Sequence, residues 1–78
     1  MSVAVPAADV LRMARRLLRY PAAEICIHSV AADLLDALER SGMKPDADFA
    51  AAAEHVVNAD DDAAIAAIDR LLAKHAAP

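Results

Sequence analysis

Alanine is the residue that most constrains the fold of this chain, because it supplies 22 of the 78 residues. It is the strongest helix former, since its side chain loses no rotamer entropy and offers the backbone no competing hydrogen bond. The β-branched and aromatic residues that strands favour are few and nowhere alternate with polar residues. We therefore predict an all-α protein.

Proline, glycine and aspartate divide the chain into four predicted helices, which we expect to form one compact bundle. Pro6 and Pro21 suit the first turn of a helix, because proline lacks an N–H that would be unpaired there. Gly42 suits the position after a helix end, because glycine adopts the left-handed conformation freely. Asp46 or Asp48 is expected to cap the third helix. The predicted helices span about residues 6–19, 21–41, 47–57 and 60–75.

Each predicted helix has an apolar face that follows the i, i+3, i+4, i+7 spacing. The arginines of the first helix are expected on the side opposite this face. The predicted core positions are Val10, Met13, Ala14, Leu17 and Leu18 in the first helix, Ile27, Val30, Ala31, Leu34, Leu35 and Leu38 in the second, Phe49, Ala53, Val56 and Val57 in the third, and Ala64, Ile65, Ile68, Leu71 and Leu72 in the fourth.

The core of a lone monomer is expected to be small. About 23 apolar side chains are larger than alanine, and small domains bury a low fraction of their surface. Self-association would bury more of it. We predict a homodimer formed through the alanine-rich faces of the third and fourth helices, where small side chains let backbones approach closely.

The charge of the chain is distributed unevenly along its length. Residues 1–20 hold four arginines and one acid and carry about +3, while residues 21–78 hold four basic residues and eleven acids and carry about −7, giving the net charge of −4. Four guanidinium groups on one helix suit an acidic protein surface, nucleic-acid phosphates or an anionic membrane. The candidate partner-binding residues are Arg12, Arg15, Arg16 and Arg19.

Internal ion pairing is the simplest alternative for these arginines. Their partners would be Asp33, Asp36, Asp48 or the aspartates at 60–62, within one chain or across a dimer. The pattern leaves open whether the arginines meet acids of this chain or those of another protein.

Nucleic acid is a weaker alternative, because the chain is acidic and has neither a glycine-rich loop nor an aromatic platform beside the arginines. Residues 33–57 have the outline of a helix–turn–helix, but its second helix would carry Asp46, Asp48 and Glu54 and would offer nothing to read base edges. No apolar run is long enough to span a membrane. The apolar face of the first helix also lacks the Trp or Phe typical of a membrane-surface helix.

Asp60, Asp61 and Asp62 form the densest acidic cluster of the chain. Oxygen-bearing side chains at 58, 60, 62 and 69 imitate a calcium-binding EF-hand loop. The sequence departs from the EF-hand motif at Ala63, where the sharp turn needs glycine, and at Asp69, which is shorter than the bidentate glutamate of the motif. We expect these acids to cap the fourth helix instead, and we predict no metal site. They are the second candidate contact set, suited to a basic partner that this chain would mask.

No catalytic site or cofactor site is predicted. Cys26 and His28 are two residues apart and point about 200° away from each other on a helix. A buried and inert Cys26 is the expected state. The three histidines lie on three different predicted helices, which is not the spacing of zinc ligands.

The sequence also indicates the cellular compartment and the kind of genome from which the protein comes. One cysteine excludes an intramolecular disulfide, and Pro6 and Asp9 interrupt the apolar start that a signal peptide would need. We therefore expect a cytoplasmic protein. Arginine outnumbers lysine six to two and alanine is abundant, as in GC-rich bacterial or phage genomes.

Together these observations predict a small non-enzymatic protein–protein interaction module, such as an adaptor, inhibitor or regulatory subunit, that acts by stoichiometric binding. A nucleic-acid-associated regulator that uses the basic first helix is one alternative. An acidic phage- or plasmid-type inhibitor that masks a basic surface of its target is the other.

Overall fold

The computed structural model describes residues 6–21 and 26–75, and within them the chain forms four α-helices. The described residues contain no strand, so the prediction of a single all-α domain is confirmed. The helices are α1 (Ala7–Arg19), α2 (Ile27–Arg40), α3 (Ala47–Val57) and α4 (Asp61–His75).

The four helices pack as a closed ring. Each helix contacts the next one along the chain, and α1 also contacts α4, so that the first and last helices close the ring. Across the diagonals, the backbones of α1 and α3 and those of α2 and α4 do not approach closely in the part of the chain that the structure describes. The side chains of His28 and Asp61 nevertheless join α2 to α4. The most extensive interface is between α3 and α4, followed by that between α1 and α2. None of the four helices is long and apolar enough to cross a membrane.

The core lies along the inside of the ring and receives side chains from all four helices. Its members lie at i, i+3, i+4 or i+7 spacing on each helix, which directs them to one face. They are Leu11, Ala14 and Leu18 from α1, Ile27, Ala31, Leu35 and Leu38 from α2, Phe49, Ala52 and Val56 from α3, and Ala64, Ala67, Ile68 and Leu71 from α4.

The buried face of α1 differs from the predicted one. Leu11 is fully buried, whereas Met13, predicted in the core, is 53% exposed. The reason is that α1 packs against both α2 and α4, so its buried face is the one between these two neighbours. In α2, Val30 was likewise predicted inside and is 38% exposed. In α3, Val57 is 75% exposed, and Ala52 is buried in place of the predicted Ala53.

The start of α2 was also predicted wrongly. Pro21 lies outside any helix, and α2 begins at Ile27 with Cys26 at the N-cap. Short helices depend on tertiary packing, and Ile27 is the first residue of α2 and also its first buried side chain. The rest of the predicted early segment, residues 22–25, lies outside the described residues. Pro6 occupies the N-cap of α1, one residue before the helix position predicted for it.

The ends of α2 and α3 share one capping motif. At the end of α2, Gly42 has φ 114°, and its N–H and that of Met43 donate to the carbonyls of Glu39 and Leu38. This is the Schellman arrangement, and it confirms the predicted role of Gly42. At the end of α3 the same pair of bonds forms around Ala59, which has φ 58°.

The starts of α3 and α4 are capped by aspartates. Asp46, rather than Asp48, is the N-cap of α3, where its side chain accepts from the N–H of Phe49 at 2.9 Å. Asp60 precedes α4, and its carboxylate lies 3.4 Å from the N–H of Ala63. Each carboxylate satisfies a helix donor that has no partner within the helix.

Candidate functional site

An apolar groove lies on the outer side of the α1–α2 pair. We call it the α1–α2 groove; it has a volume of about 360 Å³ and is lined by Met13, Arg16, Leu17, Tyr20, Val30 and Leu34. Five of these six residues are apolar or aromatic. Among the described residues, three of the four exposed large apolar side chains, Met13, Tyr20 and Val30, are in this group.

The groove arises from the spacing of residues on the two helices. Met13 and Leu17 are one turn apart in the C-terminal half of α1, and Tyr20 is the residue that caps its end. Val30 and Leu34 are one turn apart on α2. Successive residues at this spacing lie on one side of a helix, and here that side adjoins the core face. Each helix therefore carries a wider apolar surface than the inside of the ring covers.

Three of the apolar or aromatic residues that line the groove are exposed to solvent. Tyr20 is 71% exposed, and Met13 and Val30 are also exposed. Single exposed apolar residues are common on protein surfaces, but contiguous ones mark sites of interaction. Val57 is another exposed large apolar residue and does not line the groove.

The arginines of α1 do not act as one uniform surface. Arg12 donates to Asp9 of the same helix at 2.8 Å, and Arg15 donates to Asp69 of α4 at 2.6 Å. Arg15 thus lies at the α1–α4 seam. Asp69 was not among the partners predicted for the arginines, because a contact between residues 54 positions apart leaves no local signal in the sequence.

Arg16 and Arg19 are the two arginines of α1 without a carboxylate partner among residues 6–21 and 26–75. Arg16 lines the α1–α2 groove. The guanidinium of Arg19 lies 6.0 Å from the centroid of the Tyr20 ring, at the outer limit of a cation–π contact. The cationic groups that remain available therefore lie beside the apolar groove.

The three acids of the cluster at 60–62 have different surroundings. Asp60 caps α4, and Asp61 Oδ1 lies 2.7 Å from His28 Nε2, which links α4 to α2. Asp62 is exposed. Residues 61–69 are helical rather than looped, and Asp69 binds Arg15. Within the described ranges, no three His, Cys, Asp or Glu side chains converge as metal ligands would.

An ion-pair network joins the start of α3 to the end of α4. Lys74 lies 2.8 Å from Asp46 and 2.7 Å from Asp48, and Arg70 donates to Asp48 at 2.9 Å. The hydrogen bond from Lys74 lowers the pKa of both carboxyl groups, with further lowering from the Phe49 N–H at Asp46 and from Arg70 at Asp48.

The same hydrogen bonds, that to Asp46 first, raise the pKa of Lys74. This network was not predicted from the sequence. The available signal was Asp46 and Asp48 at the start of one helix and Lys74 in the last turn of the next, positions that suit both helix dipoles.

Cys26 is exposed, which corrects the prediction of a buried cysteine. It precedes the first buried residue of α2 by one position, so its side chain points away from the core. Its Sγ lies 3.3 Å from the Ser29 hydroxyl oxygen, and this hydrogen bond lowers the pKa of the thiol.

Comparison of the chain with protein-family models, with curated proteins and with solved structures finds no match.

Proposed function

We propose that this protein is a non-enzymatic interaction module that acts by stoichiometric binding of protein, and that the α1–α2 groove is its contact surface. The observation that carries the proposal is the contiguous apolar lining of the groove, with Met13, Tyr20 and Val30 exposed. Leaving such side chains in water is unfavourable, and a protein that covers them gains the free energy of their burial.

The cations at the edge of the groove support a protein contact with acidic character. Arg16 and Arg19 are the members of the predicted arginine set that have no acid beside them in the described chain, whereas Arg12 and Arg15 are already paired. Interfaces are enriched in Arg, Tyr and Met, each of which borders this groove. Of the second predicted set, Asp60 and Asp61 have partners within the chain and Asp62 is exposed.

We place this binding in the cytoplasm of a bacterial or phage-infected cell, which rests on the single cysteine and on the alanine- and arginine-rich composition. An adaptor, an inhibitor and a regulatory subunit all act in this way.

Site-specific photo-crosslinking tests the proposal. A benzophenone side chain in place of Met13 lies in the groove, and one in place of Val57 is a matched control on an exposed apolar position elsewhere. We expect ultraviolet light to produce a protein adduct of defined mass from position 13 in the source cells, and none from position 57.

A second substitution sharpens the test. Val30→Asp places a charge in the groove and is expected to abolish the adduct from position 13, while Asp at position 57 in place of Val is expected to leave it unchanged. An adduct that survives Val30→Asp, or none from position 13 at all, would contradict the assignment of the groove as the contact surface.

A further inference from the structure

We propose that the α1–α2 groove is covered by a second copy of this chain, in a symmetric dimer that stacks α1 of each copy on α2 of the other. The inference rests on the proposed function, because it takes the groove to be a protein contact and names its occupant. It differs from the dimer that the sequence suggested, in which the alanine-rich faces of α3 and α4 would meet.

Of the ten alanines of α3 and α4, three are buried inside the ring and four are exposed. Ala52, Ala64 and Ala67 are fully buried between the helices of one ring. The only apolar side chain larger than alanine that the described residues of α3 and α4 leave exposed is Val57, whereas three such side chains lie together in the α1–α2 groove. The groove therefore offers a second copy more apolar surface to bury.

The two helices that border the groove carry opposite charge. Between Ala7 and Arg19, α1 has four arginines and one acid, a net charge of about +3. Between Ile27 and Arg40, α2 has three acids and one arginine, a net charge of about −2 with His28 neutral. A surface with a basic side and an acidic side can complement a copy of itself if the two sides are exchanged.

The need to place the basic side of one copy against the acidic side of the other selects one of two symmetric arrangements. A two-fold axis that runs across the groove would place α1 on α1 of the partner and bring two sets of arginines together. An axis that runs along the groove exchanges left and right, so that α1 faces α2 of the partner. Opposite charges then meet on both sides, which favours the second arrangement.

One residue pair follows from that arrangement. Arg16 lines the groove on the α1 side, and Asp33 is exposed on α2, directly before Leu34 of the lining. Neither has an ion-pair partner in the described part of the chain, whereas the neighbouring Asp36 is bound by Arg40. Arg16 of each copy would therefore face Asp33 of the other at the edges of the interface.

The area that such a contact needs is available. A standard interface buries about 800 Å² of each partner, which is about a sixth of the 5100 Å² that the chain exposes. One of the four sides of a four-helix ring can supply that fraction. The five apolar or aromatic lining residues of each copy would form its centre.

Sedimentation equilibrium of the purified chain tests the dimer directly. The expected result is a reversible monomer–dimer equilibrium over micromolar to submillimolar concentrations. Val30→Asp is expected to give a monomer at every concentration. Val57→Asp is the matched control and is expected to remain dimeric. Circular dichroism of both variants must show the wild-type helix content, and Val30→Thr, which keeps the shape of the side chain, serves if Val30→Asp unfolds.

A charge exchange tests the stacking of α1 on α2. Arg16→Asp and Asp33→Arg are each expected to weaken the dimer by about tenfold in Kd, because each places two like charges together at both edges. The chain with both substitutions restores opposite charges and is expected to recover most of the wild-type Kd. No recovery would overturn this arrangement.

Other outcomes separate this inference from the proposed function. A wild-type monomer at all concentrations, or a dimer that survives Val30→Asp, would overturn the second copy as the occupant. If position 13 then still crosslinks to a different protein, the groove remains a contact surface and only its occupant was assigned wrongly. If position 13 crosslinks to nothing, both proposals fall.

Discussion

The α3–α4 half and the α1–α2 half of the ring use their apolar residues differently. In the α3–α4 half, whose two helices form the most extensive interface of the ring, the fully buried residues include Ala52, Ala64 and Ala67. Where α1 meets α2, large residues continue past the core face and remain exposed, among them Met13 and Val30. Among the described residues, the α3–α4 half leaves one large apolar side chain exposed, that of Val57, whereas the wider apolar faces of α1 and α2 exceed what one ring can cover.

The largest effect should separate a core residue of α4 from a lining residue of the groove. Ile68 is fully buried, so Ile68→Ala is expected to lower the free energy of unfolding by about 2–5 kcal/mol through lost burial and a residual cavity. Met13→Ala is expected to change it by less than about 0.5 kcal/mol. Urea unfolding at a protein concentration where the chain is monomeric measures the free energy of unfolding of both variants. Equal losses would contradict the difference between the two halves of the ring.

Most helix ends and most core positions were predictable from local sequence, whereas the start of α2 and the edges of the buried faces were not. Alanine content, Gly42 and the aspartate caps act within a few residues, so the ends of α3 were predicted correctly and the end of α2 to within one residue. Around α1, apolar residues occupy 10, 11, 13, 14, 17 and 18, which supports two overlapping faces. Only the positions of α2 and α4 decide that Leu11 is buried and Met13 is not.

The candidate site was predictable only in part for the same reason. The arginines of α1 were identifiable as a contact set, but the division between paired and unpaired members depends on Asp69, which comes from the far end of the chain. Four of the six residues that line the groove had been assigned to the core by their periodicity, namely Met13, Leu17, Val30 and Leu34. A surplus of apolar positions over what four short helices can bury was the signal, and sequence alone does not say which of them stay outside.

A larger side chain should be tolerated on one side of α4 and not on the other. Ala67 is fully buried and Ala66 is exposed. Ala67→Leu is expected to cost about 1–3 kcal/mol of unfolding free energy, because a close-packed helix contact must open to admit it. Ala66→Leu is the matched control and should stay within about 0.5 kcal/mol. If Ala67→Leu were harmless, the close packing of this half would be disproved.

The two Schellman caps should respond to substitution with opposite signs. Gly42→Ala places a Cβ on a residue with φ 114° and is expected to destabilise by roughly 1 kcal/mol, although nothing lies within 4 Å of that Cβ. Ala59→Gly removes a Cβ from a left-handed residue with φ 58° and is expected to stabilise by roughly 1 kcal/mol. Thermal unfolding of both single variants gives the two signs, and a shared sign would show that crowding rather than backbone strain governs these positions.

The smallest effect concerns the ion-pair network of the α3–α4 half. Asp46 and Asp48 have a pKa below the ordinary 3.8, so the stability they contribute is present above that value and is lost as the pH falls through their folded pKa. The pKa of Lys74 is raised above 10.5, so its contribution is present below that pH and is lost as the pH rises through its folded value.

Lys74→Ala is therefore expected to move acid unfolding to a higher pH, with the shift reduced by added salt. Lys44→Ala is the matched control, because Lys44 is exposed and outside this network. Equal acid-unfolding profiles for the two variants would mean that solvent screening cancels the network, and that close helix packing alone distinguishes this half of the ring from the other.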